Sequence, residues 1–313
     1  MIPSLILFAR ENYNALVVLV GVSLLGATSG IIGAFAVLRK RALTGDALSH
    51  AALPGLCLAF LILRERNLTA MLGGALVSGV LGIAMIAALR RWTRIKEDAA
   101  IGIVLSVSFG LGIVLLKLIQ NMEEVGSKAG LNSYIFGKTA GMLRGDVYLI
   151  VAASLLLLVL VVGLFKEFQL VTFDADFARA VGRPVFALDL LLMSLVAVAV
   201  VIGLPNVGVV LVSALLIMPG AAARFWTDRL TPLLIVSAAF GFAIGGVGTL
   251  LSAFFRQLPA GPIIVLVGTA VFVVSLLLGS KRGAIVRLLA HRRFQAKLQA
   301  GQLGPPLANH EAA

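Results

Sequence analysis

The chain has 313 residues, 60% of them apolar and 13% charged, with a mean hydropathy of +1.07. A water-soluble domain carries about 25% charged residues, so a soluble enzyme is excluded. The same apolarity excludes disorder, and the single Cys, Cys57, excludes a disulfide framework or a Cys-rich metal cluster. The net charge of +12 would suggest nucleic acid in a soluble protein; in so apolar a chain it reads as Lys and Arg gathered in cytoplasmic loops.

A membrane-spanning helix needs roughly 20 mostly apolar residues. Candidate spans fall, in chain order, at 14–38, 42–63, 68–89, 99–116, 147–165, 187–202, 207–223, 233–255 and 263–278. The pattern predicts an all-α, polytopic helix bundle of eight or nine transmembrane helices over residues 1–280. Residues 188–223 decide the count. They form either two short spans broken at Pro205-Asn206 or one span with a re-entrant piece. No cleavable signal pattern precedes the first span, which leads straight into a basic loop.

With nine spans, most of the 26 Lys and Arg fall on one side. They include Arg39, Lys40 and Arg41; Arg90, Arg91, Arg94 and Lys96; Lys166, Arg179 and Arg183; Arg224 and Arg229; and the tail. That side is cytoplasmic by the positive-inside bias, with the N-terminus outside and the C-terminus inside. An eight-span chain breaks the alternation. Residues 281–313 form a basic cytoplasmic tail. Its first part suits a helix lying on the inner leaflet, and its Gly/Pro/Ala-rich end, with His310, reads as disordered.

Two glycine spacings, Gly26-x3-Gly30 and Gly241-x3-Gly245, predict close helix packing. Gly137-Lys138-Thr139 imitates the end of a phosphate loop, but the position of the loop's first glycine holds Asn132 and no strand precedes it. The chain therefore offers no ATPase site, and no hydrolase motif either.

One constellation carries chemistry. Asp46 and His50 stand four apart in the second span, so they share one helix face a turn apart. At ~1.5 Å per residue they lie below the headgroups, where an ionisable group costs a few kcal/mol, about 3, and faces a wet path or a partner. A carboxylate and an imidazole suit Mn, Fe, Zn or Co, yet four or more ligands are needed. A homodimer with facing second spans would supply two Asp and two His. The alternative is an Asp–His hydrogen bond that locks a helix start, where the dipole favours Asp46. Cys57, seven residues past His50, reads as a small core residue, and Pro54-Gly55 as a bend.

Between the fifth and sixth spans, Thr172 or Asp174 caps a short helix whose apolar face carries Phe177, Ala178 and Val181. Gly182 and Arg183-Pro184 end it. Such a helix either docks in a partner's groove or rests on its own domain.

Residues 43–55 (LTGDALSHAALPG), 173–184 (FDADFARAVGRP) and 207–224 (VGVVLVSALLIMPGAAAR) resemble the ABC-transporter permease subunits of the manganese/zinc/iron chelate uptake class. The similarity runs from about 33 to 279; the tail beyond Arg282 is not covered. The resemblance implies a type II ABC importer-like permease, a transport subunit and not an enzyme, in a bacterial cytoplasmic membrane. It implies a second permease copy or a close paralogue, a cytoplasmic ATPase dimer, and an extracytoplasmic metal-binding protein. No cofactor is bound permanently, and the cargo is Mn, Zn or Fe. Carried over, Asp46 and His50 are the metal ligands. Asp174, Phe177, Ala178, Val181 and Gly182 belong to a coupling helix at about 173–184 that seats in the ATPase. The outer loop 121–145, with Glu123 and Glu124, is a docking surface or a metal funnel. Competing expectations are a siderophore or cobalamin permease, which requires no Asp/His pair, and an ion-coupled secondary transporter. The latter needs midplane ion sites, and only Asp46 lies deep.

Overall fold

The long apolar runs become helices because lipid offers no partner for an open backbone. The computed structural model describes residues 13–65, 67–122, 137–255 and 259–288, and these contain no strand. Ten helices follow in order: α1 (Tyr13–Leu38), α2 (Thr44–Leu63), α3 (Leu68–Trp92), α4 (Glu97–Asn121), α5 (Arg144–Gly163), α6 (Phe165–Phe173), α7 (Ala175–Ala180), α8 (Val185–Ala223), α9 (Leu230–Phe254) and α10 (Ala260–Leu278). Local chemistry sets several starts. Asn67 accepts a hydrogen bond from the Ala70 N–H at 3.2 Å to open α3. Glu97 and Asp98 occupy the first turn of α4, where the helix dipole favours anions. The helices outrun the apolar windows: α3 carries Arg90 and Arg91 in its last turn, since charge ends a hydropathy run without ending a helix.

Eight of these helices are long and apolar enough to cross a membrane. The sixth of them, α8, has 39 residues, about 58 Å if straight and about twice a hydrocarbon core. It is not straight. Gly208 leaves helical geometry (φ 79°, ψ 168°), three residues after Pro205. A Cβ on Gly203 would meet Val212 Cγ2 at 2.7 Å, a contact that a continuous helix forbids between residues nine apart. The two ends also return to one place. Asp189 pairs with Arg39 and Arg41 just beyond α1, and Gly220 packs against Ala34 within it. The described chain therefore makes nine legs from eight long helices. The two short spans read at 187–202 and 207–223 are the legs of this hairpin, and the break falls at Gly208, two residues after Asn206.

The glycine spacings pack as their chemistry predicts. Gly26 and Gly241 face each other backbone to backbone, so that a Cβ on either would collide with the other's carbonyl. The Gly30 position lies against the Ser237 carbonyl, and Ser237 Oγ donates to the Gly30 carbonyl at 2.8 Å. This seam joins α1 to α9. The core gathers on α1, the α8 legs and the inner faces of α2 and α9, with Val22, Ile32, Phe35, Ala52, Val200 and Leu216 fully buried.

The basic loops converge at one end of the bundle. Arg39 and Arg41 reach Asp189 at 2.7 Å each, Arg41 Nε also pairs with Glu97, and Arg90 meets Glu97 at 3.2 Å. Burial pushes the Arg39 guanidinium below its ordinary value, while Asp189 pulls it back up. Arg183 pairs with Glu167, and the Lys281 N–H donates to the Phe225 carbonyl. This one-sided gathering is what the nine-span alternation requires. Residues 284–288, in the tail, are helical. His310, Glu123, Glu124 and the end of the tail lie outside the described residues.

Candidate metal site

The helix that carries the Asp/His pair is almost wholly wrapped. From Thr44 to Cys57 every residue is buried except Asp46 and His50. Their side chains are 38% and 20% exposed. Asp46 Oδ1 lies 3.8 Å from His50 Nε2, too long for a hydrogen bond, so the pair is not a closed lock. The ring of Phe109, on α4, stands edge-on to the imidazole with centroids 4.8 Å apart. His50 Nδ1 is buried without a partner. Ser213, on the second leg of α8, donates its hydroxyl to Asp46 Oδ1 at 3.3 Å.

Among the described residues no third His, Cys, Asp or Glu joins this pair. One chain thus offers one carboxylate and one imidazole on an open face, short of a full coordination shell. Cys57 does not belong to it. Its thiol is buried and turned to the Gly112 carbonyl on α4 at 3.9 Å. The helix also continues through Pro54 without interruption.

Gly137-Lys138-Thr139 has a structural task. Gly137 takes φ 76°, the Lys138 N–H donates to the Asn206 carbonyl at 3.1 Å, and Thr139–Gly141 closes a 3-10 turn. The segment clasps the turn of the α8 hairpin.

The short helix α7 forms as its sequence demands. Asp174 Oδ1 accepts from the Phe177 N–H at 2.8 Å. At the other end Gly182 has φ 80°, its N–H donates to the Arg179 carbonyl, and the Arg183 N–H donates to the Ala178 carbonyl. That is the double hydrogen bond of a glycine-terminated helix. Phe177 and Val181 are each 55% exposed, while Ala178 is fully buried. The expected three-residue apolar face is therefore split. Phe177 and Val181, four apart, look outward, and Ala178, one residue round the helix, seats α7 on its own bundle.

Residues 12–279 match the model of the ABC 3 transport family. The chain belongs to that family. It is 46% identical over 292 residues to the manganese transport system membrane protein MntC of Bacillus subtilis, covering 92% of this chain and 67% of that one. It is 41% identical to the zinc transport system membrane protein TroC of Treponema pallidum, covering 93% and 97%. Among solved structures, PsaBC from Streptococcus pneumoniae in complex with Fab superposes with a TM-score of 0.79 at 29% identity, over 93% of this chain and all of that one. A metal-chelate type ABC transporter in an inward-facing conformation shares the fold at a TM-score of 0.62 and 18% identity, over 83% of this chain and 85% of that one. As a member of the ABC 3 family the chain is a multi-pass membrane component of a transport system.

Sequence reasoning found Asp46 and His50 because charge inside an apolar run stands out. It missed Ser213 and Phe109, which read as ordinary span residues until the fold brings them to the pair. It also missed Asp189 and Glu97, whose only signal was acidity beside basic loops.

Proposed function

We propose that this chain is the permease of an ATP-driven importer of a divalent transition metal, Mn2+, Zn2+ or Fe2+. Two copies, or one copy and a close paralogue, stand with their Asp46/His50 faces toward each other in a bacterial cytoplasmic membrane. Together they offer the metal two carboxylates and two imidazoles. A binding protein delivers the ion outside, and a pair of ATPase subunits engages α7 from the cytoplasm, where the tail also lies. Movement of α7 reaches the membrane legs and changes the side to which the site opens.

The observation that carries this reading is the selective exposure of α2, which hides all of 44–57 except one carboxylate and one imidazole. The named cargo of the manganese and zinc relatives supports the same class. A large chelate would need no such pair, which favours the bare cation over a siderophore or cobalamin. Asp46→Ala and His50→Ala are expected to leave the membrane complex assembled and to abolish metal uptake, read by elemental analysis of cells. Wild-type uptake in both variants would reject the site.

A further inference from the structure

The third sequence motif, 207–224, has a task in the site. It forms the second leg of the α8 hairpin, and that leg meets α2 through two adjacent contacts. Leu216 presses on Gly45, where a Cβ would collide with the Leu216 side chain. One turn away along the leg, Ser213 Oγ donates to Asp46 Oδ1. Leu216 is fully buried, so the leg is fixed in depth and rotation, and the missing side chain at Gly45 lets it come close enough for the hydroxyl to reach.

Other hydroxyls of α2 cannot take this role. Ser49 donates to the Gly45 carbonyl within its own helix and is fully buried. Thr44 is buried and lines the basic end of the bundle beside Arg41 and Glu97. Nor does the imidazole orient the carboxylate, since Nε2 stands 3.8 Å away. With no third acidic, His or Cys side chain at hand among the described residues, the hydroxyl is the group that sets the carboxylate's rotation.

We propose that Ser213 is a positioning residue for the transported metal: by occupying Asp46 Oδ1 it fixes the carboxylate's rotation and leaves Oδ2 to meet the ion together with His50. This rests on the reading of Asp46 and His50 as metal ligands. Ligating carboxylates are commonly held by such outer hydrogen bonds, and their loss costs about 10- to 100-fold in affinity.

The test uses the purified permease–ATPase complex titrated with Mn2+ alone, and with Zn2+ alone, in the absence of the binding protein. Ser213→Ala is expected to weaken binding by about 10- to 100-fold while the complex still assembles. Ser213→Thr, which keeps the hydroxyl, is expected to stay near wild type. Wild-type affinity in Ser213→Ala overturns the proposal. So does Ser213→Thr as weak as Ser213→Ala, because that result assigns the position to packing. Asp46→Ala, measured in parallel, separates the two levels. If it binds metal normally, the site reading itself fails. If it loses binding while Ser213→Ala keeps it, only the role of Ser213 fails.

Discussion

Asp46 and His50 owe their visibility to cost. An ionisable group in an apolar helix is expensive, so its presence signals a use before any fold is known. Ser213 has no such mark. A serine is cheap in a membrane helix, and its partner lies 167 residues away, so no local pattern could join them. Glycines fall between these cases. The four-residue spacing announced close packing, but only the fold shows that Gly26 and Gly241 touch backbone to backbone. Gly26→Val must therefore push α1 away from α9. A loss of about 1–3 kcal/mol is expected, seen as a lower melting temperature of the solubilised protein. Gly102, which has open space where a Cβ would stand, should tolerate Ala with no such loss.

At the level of helices, α7 was legible in its existence and its glycine terminator, while the choice between Thr172 and Asp174 as its cap was settled by the fold in favour of Asp174. What the sequence could not say was which side of so short a helix is inward, because Phe177, Ala178 and Val181 are all apolar. Gly182→Val forces a branched side chain into left-handed backbone at a cost of about 1–2 kcal/mol. It is expected to lower copurification of the ATPase and uncouple its hydrolysis from uptake. Val181→Asp should do the same with the helix intact, whereas normal copurification of both variants would remove α7 from the ATPase contact. The α8 hairpin was legible only as a choice between two outcomes. Pro205 and Asn206 marked a break, but hydropathy carries no information on whether a chain turns back. The turn is settled by contacts distant in sequence, from Lys138 to Asn206 and from Asp189 to Arg39 and Arg41.

Across the whole molecule, the basic end is held by a shared set of ion pairs and not by packing alone. Asp189 serves two guanidinium groups, and Glu97 serves Arg41 and Arg90. These side chains are largely shielded, so removing one carboxylate leaves positive charge poorly compensated. Asp189→Asn is expected to destabilise the protein by about 1–3 kcal/mol, a moderate figure because part of the network stays in contact with water. Thermal melting of the solubilised protein checks this, and an unchanged melting point would mean that the network is ornamental. The sequence foretold the gathering of positive charge but not its long cross-links, because the bridges from Arg39 and Arg41 to Asp189 and from Arg41 to Glu97 join loops separated by two or more helices.

The folded-back α8 gives the described residues an odd number of legs, so Tyr13 and Leu278 lie at opposite ends of the bundle. Head-to-tail fusion of two copies of residues 13–278 through a short flexible tether is consequently expected to fail, because the end of the donor's last leg and the start of the acceptor's first lie at opposite ends of the bundle. A tandem gene would need one extra crossing segment inserted between its halves, and only with that addition should a single polypeptide replace the pair.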